Sequence, residues 1–216
     1  MPRPSYAMGL EGEGSLLQDR ARVIEAGGAL VIAVADGAGG HAGSEHAAEA
    51  VIREIEAWIG RGDPLDDEAN WSDFLVEIDS TILRAGNWGE TTAVVLAVTD
   101  RSICGASVGD SEAWLATEDA FRSLTSGQNR RPFLGSGAAR PTPFRCDRPR
   151  GTLIVGTDGL FKYAPTWRIC QVAVDEPPDV ASRSLLDLVR LPNGRLQDDV
   201  GLVVCRLPVA ESSLAE

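Results

Sequence analysis

The 216-residue chain is 44% hydrophobic with a formal net charge of −12, which is enough apolar content for one domain over 1–216, with its core expected from about 16 to 207. The acidic excess excludes a nucleic-acid backbone as main partner, because binding by counterion release needs clustered Lys and Arg. No stretch approaches the roughly 18–20 apolar residues of a membrane helix, and the start of the chain lacks a basic-then-apolar leader. The four cysteines, Cys104, Cys146, Cys170 and Cys205, have no C-x-x-C spacing, so buried, reduced thiols in a cytoplasmic protein without membrane contact are expected.

In chain order, the first strand-like run is Leu30 to Ala35, ending on Asp36 and a glycine-rich turn. A helix follows from Ser44, a candidate N-cap, with Ala47, Ala48, Val51, Ile55, Trp58 and Ile59 at helical spacing. Trp71, Phe74, Leu75, Ile78 and Ile82 mark a second helix. Strands are then expected at Thr92 to Val98, Ser102 to Val108 and Ala113 to Ala116, joined by turns short enough for hairpins. Thr125 to Gly151 is irregular and rich in Gly, Pro and Arg; loops of this length are usually functional or mobile. Strands at Leu153 to Val155 and Val200 to Leu207 flank a third helix at Asp179 to Val189, introduced by Pro177 and Pro178. Consecutive strands without intervening helices exclude a simple parallel βαβ winding and point to antiparallel sheets with helices outside.

Asp36, Asp110, Asp158 and Asp198 each lie at an end of an apolar strand, three of them beside glycine. A single Asp-Gly after a strand is usually only a turn. Four around one sheet edge suggest something more, since buried carboxylates are costly without a cation and converging ones repel. A divalent ion with hard oxygen ligands meets both demands. Gly37, Gly39 and Ala42 also fit a G-x-G-x-x-G/A dinucleotide fingerprint. Asp36, immediately before its first glycine, would oppose a pyrophosphate, and no ribose-binding acid or P-loop accompanies it.

Taken together, "QDR" (18–20), "ADGAGGHAGSEHAA" (35–48), "GETTAVV" (89–95), "VGDSEAWL" (108–115), "GTDGLFKY" (156–163) and "DDVGLVV" (198–204) resemble, in order, the motifs of the metal-dependent type 2C serine/threonine phosphatases. The resemblance implies an α+β fold, a four-layer αββα sandwich of two antiparallel sheets with helices outside. It also implies two Mn or Mg ions, with a third, weaker one possible. By that match Asp36 bridges both ions, the Gly37 carbonyl binds one, and Asp158 and Asp198 hold the other. Asp19 orients a metal-bound water, and Asp110 contributes to the third ion. The implied activity is direct hydrolysis of phosphoserine and phosphothreonine in a protein substrate, opposing a Ser/Thr kinase, by a monomer.

The chain departs from the family pattern at several points. Gln18 stands where many members have glutamate, Gly14 where many have a phosphate-binding arginine, Ala38 where some have a histidine, and Asp199 where many have asparagine. The usual flap between "GDSEAW" and "TDG" is reduced to an arginine-rich segment, with six arginines and one acid between Arg130 and Arg150. Arg20, Arg22, Arg130 and Arg131 are therefore the candidates to anchor phosphate, for which a planar guanidinium is well suited. The same departures support an alternative reading, a phosphatase-like regulatory module that binds a phosphoprotein with little turnover. His41 and His46 read as surface or capping groups, Lys162 as a solvated turn residue, and Thr91 and Thr92 as strand residues behind the site.

Overall fold

In a computed structural model, which describes residues 3–14, 16–38, 43–147 and 149–208, two five-stranded antiparallel sheets lie face to face. The first runs in spatial order β1 (Ser5–Glu11), β12 (Val200–Arg206), β11 (Thr152–Gly156), β8 (Glu112–Ala116), β9 (Phe121–Ser123). The second runs β10 (Thr142–Asp147), β7 (Ser102–Val108), β6 (Ala93–Val98), β3 (Ala29–Ala35), β2 (Arg20–Ala26). A two-stranded ribbon, β4 (Gly37–Ala38) with β5 (Glu90–Thr91), continues from β3. Helices α1 (Ser44–Ile59) and α2 (Glu68–Ala85) cover the second sheet; α3 (Asp158–Phe161), α4 (Thr166–Asp175) and α5 (Pro178–Leu188) cover the first. The architecture is the four-layer αββα sandwich.

The central strands read as unbroken apolar runs because both their faces are covered. On β3, Leu30, Ile32 and Val34 join Leu96, Leu153 and Val203 between the sheets. Their neighbours Val31, Ala33 and Ala35 turn the other way, toward Val51, Trp71 and Phe74 of the helices. Where α1 meets α2, Trp58 packs on Trp71 with ring centroids 4.7 Å apart and on Phe74 at 5.4 Å. Such pairs add about 0.5–1.5 kcal/mol each beyond area burial. Among the described residues no helix is long and apolar enough to cross a membrane.

The structure corrects four local expectations. The core begins before the expected residue 16, because β1 pairs along its length with β12. The Thr125 to Gly151 region contains β10, an edge strand. Only β6 and β7 form a hairpin among the strands from Thr92 to Ala116, since β7 to β8 crosses from one sheet to the other. Helix α1 is capped by Gly43 with φ 97° and without a side-chain cap, while the Ser44 hydroxyl donates to the Ala38 carbonyl at 3.0 Å.

Candidate metal centre

Antiparallel pairing brings one end of each sheet to a common edge. Arg20 lies opposite Ala35, Ala93 opposite Val108, and Gly156 opposite both Glu112 and Leu202. That edge therefore collects the residue before β2 (Asp19), the residue after β3 (Asp36), the β7–β8 crossing (Asp110), the residue that opens α3 after β11 (Asp158), and the approach to β12 (Asp198, Asp199). All six aspartates line one cavity of about 280 Å³, together with Gln18, Gly37, Ala38, Thr92, Arg131 and Phe133. Asp36, Asp110 and Asp158 can bring carboxylate oxygens within 4.8 Å of one another. Asp198 lines the same cavity outside that tight triple.

Around Asp36 both backbone groups are hydrogen-bonded, which fixes where its side chain starts. The Asp36 carbonyl accepts from Thr91 Oγ1 at 2.8 Å and from the Thr92 amide at 2.9 Å. Its own amide donates to Thr92 Oγ1 at 3.3 Å. Thr92 Oγ1 in turn shares a 2.6 Å hydrogen bond with Ser111 Oγ, beside Asp110. On the opposite wall, the Asp199 carboxylate accepts from the Glu13 and Gln18 amides at 2.8 and 2.6 Å and folds the N-terminal loop onto the site. Two glycines permit close approach. A Cβ on Gly37 would lie 2.7 Å from the Ser44 carbonyl oxygen, and one on Gly159 would overlap the Asp199 carbonyl oxygen. The glycine after Asp158 is thus there for contact between α3 and the Asp198–Asp199 turn.

Electrostatically the cavity is strained without a cation. Burial, then the charges of Asp158, Asp198 and Asp110, push the Asp36 carboxyl up to about 7, although a hydrogen bond with Asp19 works the other way. Burial and then the charge of Asp36 hold Asp19 well above the ordinary carboxylate range. Asp158 is raised by burial and by Asp198 and Asp110; Asp198 is raised by burial first. Asp19 is 2% exposed, and its Oδ2 has no hydrogen-bond partner. An orphaned buried oxygen and a donor set made only of oxygens fit a hard divalent cation and its water shell.

The sequence profile of protein phosphatase 2C matches residues 10–168. The chain belongs to the protein phosphatase 2C family. Solved structures agree on the fold. A mutated bacterial serine phosphatase superposes with a TM-score of 0.85 at 19% identity, covering 96% of this chain and 100% of its own. The catalytic domain of the serine/threonine phosphatase PstP, solved with two manganese ions, gives 0.81 at 18% identity, covering 94% and 97%. Stp1 from Staphylococcus aureus gives 0.80 at 17% identity, covering 97% and 96%. Compared with curated proteins by sequence, the chain finds no match.

Within this family member the structure separates the candidate anchors. Arg20 and Arg22 do not line the cavity, because they reach outward to Glu49 and Glu56 of α1, each at 2.6 Å. Arg131 does line it, stacked over the Phe133 ring at 4.6 Å. Arg130 is outside the lining, although its charge helps to lower the Asp158 pKa. Lys162 lies 3.8 Å from Asp158 with more than half its side chain exposed. His46 is exposed on α1 beside Glu45; His41 lies outside the described residues. Sequence reading missed the Asp199 clasp and the Thr92–Ser111 bond. It also missed Asp79, a lone acid within the apolar stripe Leu75, Ile78, Ile82 of α2, a position that could have flagged it.

Proposed function

We propose that the protein is a serine/threonine phosphoprotein phosphatase that uses two Mn or Mg ions and an activated water. The observation that carries this reading is the convergence of six aspartates from separate chain segments on one cavity, with the Asp19 oxygen unpartnered. Family membership and the two manganese ions of PstP support it. Asp36, the Gly37 carbonyl, Asp158 and Asp198 would hold the two ions, and Asp110 would contribute to a weaker third position. Bound there, divalent ions acidify a water and neutralise phosphoryl oxygens. Asp19 would hold that water by its free oxygen, and the Thr91 and Thr92 hydrogen bonds fix the Asp36 backbone from which its carboxylate projects. Attack by water needs no covalent nucleophile, and the Ser111 hydroxyl beside Asp110 is shared with Thr92. The substrate would be a phosphorylated protein made by an opposing Ser/Thr kinase.

The test is purified protein with an aryl phosphate and a phosphothreonine peptide, with Mn or with chelator, alongside calorimetric Mn titration. Mn-dependent phosphate release that stops on chelation is expected. Release that survives chelation would remove the metal reading. Mn binding without release would establish instead a phosphatase-like binding module, the reading that Gly14 and Gln18 favour.

A further inference from the structure

A phosphate dianion entering a cavity lined by six aspartates needs a protein cation to orient it, because metal charge alone attracts without directing. Most nearby cations are already taken. Arg20 and Arg22 pair with Glu49 and Glu56, Arg195 pairs with Glu13 at 3.0 Å, and Lys162 leans on Asp158 and Tyr163. The N-terminal position where the family pattern has an arginine is Gly14. Among the described residues, Arg131 is the one cation in the cavity lining, and no carboxylate lies within ion-pair distance of it.

Arg131 is held from below rather than by a counter-charge. Its guanidinium lies over Phe133, a buried ring. The next residue, Leu134, exchanges two 3.0 Å backbone hydrogen bonds with Thr91, the same threonine whose hydroxyl holds the Asp36 carbonyl. Beyond it, the Asp79 carboxylate, 6% exposed on α2, accepts from the amides of Gly135 at 2.7 Å, Gly137 at 3.0 Å and Ala139 at 3.2 Å. Gly135 and Gly137 have φ of 100° and 74°, the left-handed conformations that let successive amides turn toward one acceptor. The arginine-rich segment is therefore a strap pinned at Thr91 and at Asp79, with Arg131 at the end that faces the acids.

We propose that Arg131 is the phosphate anchor of the site and that Asp79 is its positioning residue, acting through the strap. This rests on the phosphatase reading and assigns its substrate contact to the segment standing in place of a flap.

The test uses inorganic phosphate as probe, titrated into the Mn-loaded full chain by calorimetry, beside KM and kcat on an aryl phosphate. Arg131→Ala should weaken phosphate binding and raise KM by about tenfold or more, the usual worth of a charge-assisted hydrogen bond, with Mn affinity unchanged. Arg131→Lys should recover only part of this, because it lacks the planar fork. Asp79→Asn should raise KM more than it lowers kcat, and should add no further loss of phosphate affinity when Arg131 is already Ala; full additivity would assign Asp79 a merely structural role. Since the Arg131 side chain is exposed, its variants test the anchor even where Asp79→Asn fails to fold. Phosphate binding by Arg131→Ala equal to that of the wild type, or no phosphate binding by the wild type, would overturn the proposal. A wild type that binds Mn and phosphate without hydrolysis would sink the phosphatase reading alone, leaving the Arg131 comparison intact.

Discussion

Thr92 Oγ1 and Ser111 Oγ share a buried 2.6 Å hydrogen bond that ties the start of β6 to the crossing that carries Asp110. Thr92 also receives the Asp36 amide, so one hydroxyl pair couples two acids that belong to different elements. Thr92→Val should weaken Mn binding by about tenfold, the lower end of what partners behind metal ligands contribute. It should also lower Tm, because the Ser111 hydroxyl is left buried without its partner. Adding Ser111→Ala should recover part of the Tm and not Mn affinity, since the Asp36 amide still lacks its Thr92 partner, a separation that calorimetry and thermal melts can read.

Changing Asp36 or Asp158 to Asn should abolish Mn-dependent hydrolysis while raising the Tm of the metal-free protein. Each carboxylate repels the others across the cavity, so removing one charge relieves the empty site. Melts with chelator and with Mn, beside the hydrolysis assay, check both halves. A variant less stable than wild type in chelator would contradict the repulsion argument.

The pH dependence follows from the same acids. The Asp36 carboxyl is raised to about 7 in the folded chain, and those of Asp19, Asp158 and Asp198 are also raised. An unfolded carboxyl titrates near 4, so between about 4 and 7 the folded state binds more protons than the unfolded state. Their stabilising contribution is complete below the unfolded value and is lost as pH rises through about 7. In chelator, Tm should fall from pH 5 to pH 8, and the Tm gain on adding Mn should grow over the same interval. Melting curves at fixed ionic strength would show it.

Gly159→Ala should be poorly tolerated. A Cβ there overlaps the Asp199 carbonyl oxygen, and overpacking of this kind costs about 1–3 kcal/mol. The expected readout is a lower Tm together with weaker Mn binding, because α3 and the Asp198–Asp199 turn must part. Gly14→Ala, which meets nothing within 4 Å, is the matched control and should leave both unchanged.

Strands covered on both faces, such as β3, β6, β7 and β12, were legible because burial leaves little choice but apolar residues. Edge strands were not. In β1 the large side chains Met8 and Leu10 are exposed, while the inner side is made by Ala7 and Gly9, where α5 comes close. The usual apolar signal thus points outward. In β10, Pro143 speaks against a strand and only Phe144 and Cys146 face inward. The GlyGly pair at 27 and 28, both at positive φ, was a readable sign of the β2–β3 hairpin. At the site, the aspartates stood out because strand ends are marked in sequence. Which of the arginines faces them depends on the path of an irregular segment, and only the contacts to Asp79 and Thr91 settle that.

The clasp between Asp199 and the N-terminal loop bears on the two departures that flank it. The family pattern has an acid where Gln18 stands and a neutral amide where Asp199 stands, and here the Gln18 backbone amide donates to the Asp199 carboxylate. Both residues line the cavity. The negative charge missing from one wall is therefore present on the adjoining one, a single hydrogen bond away. The acidity of the pocket has been relocated rather than reduced, and the acid that carries it also closes a loop through both its oxygens, one for each backbone amide; in an asparagine one of those two amides would face an NH2 group instead of an acceptor.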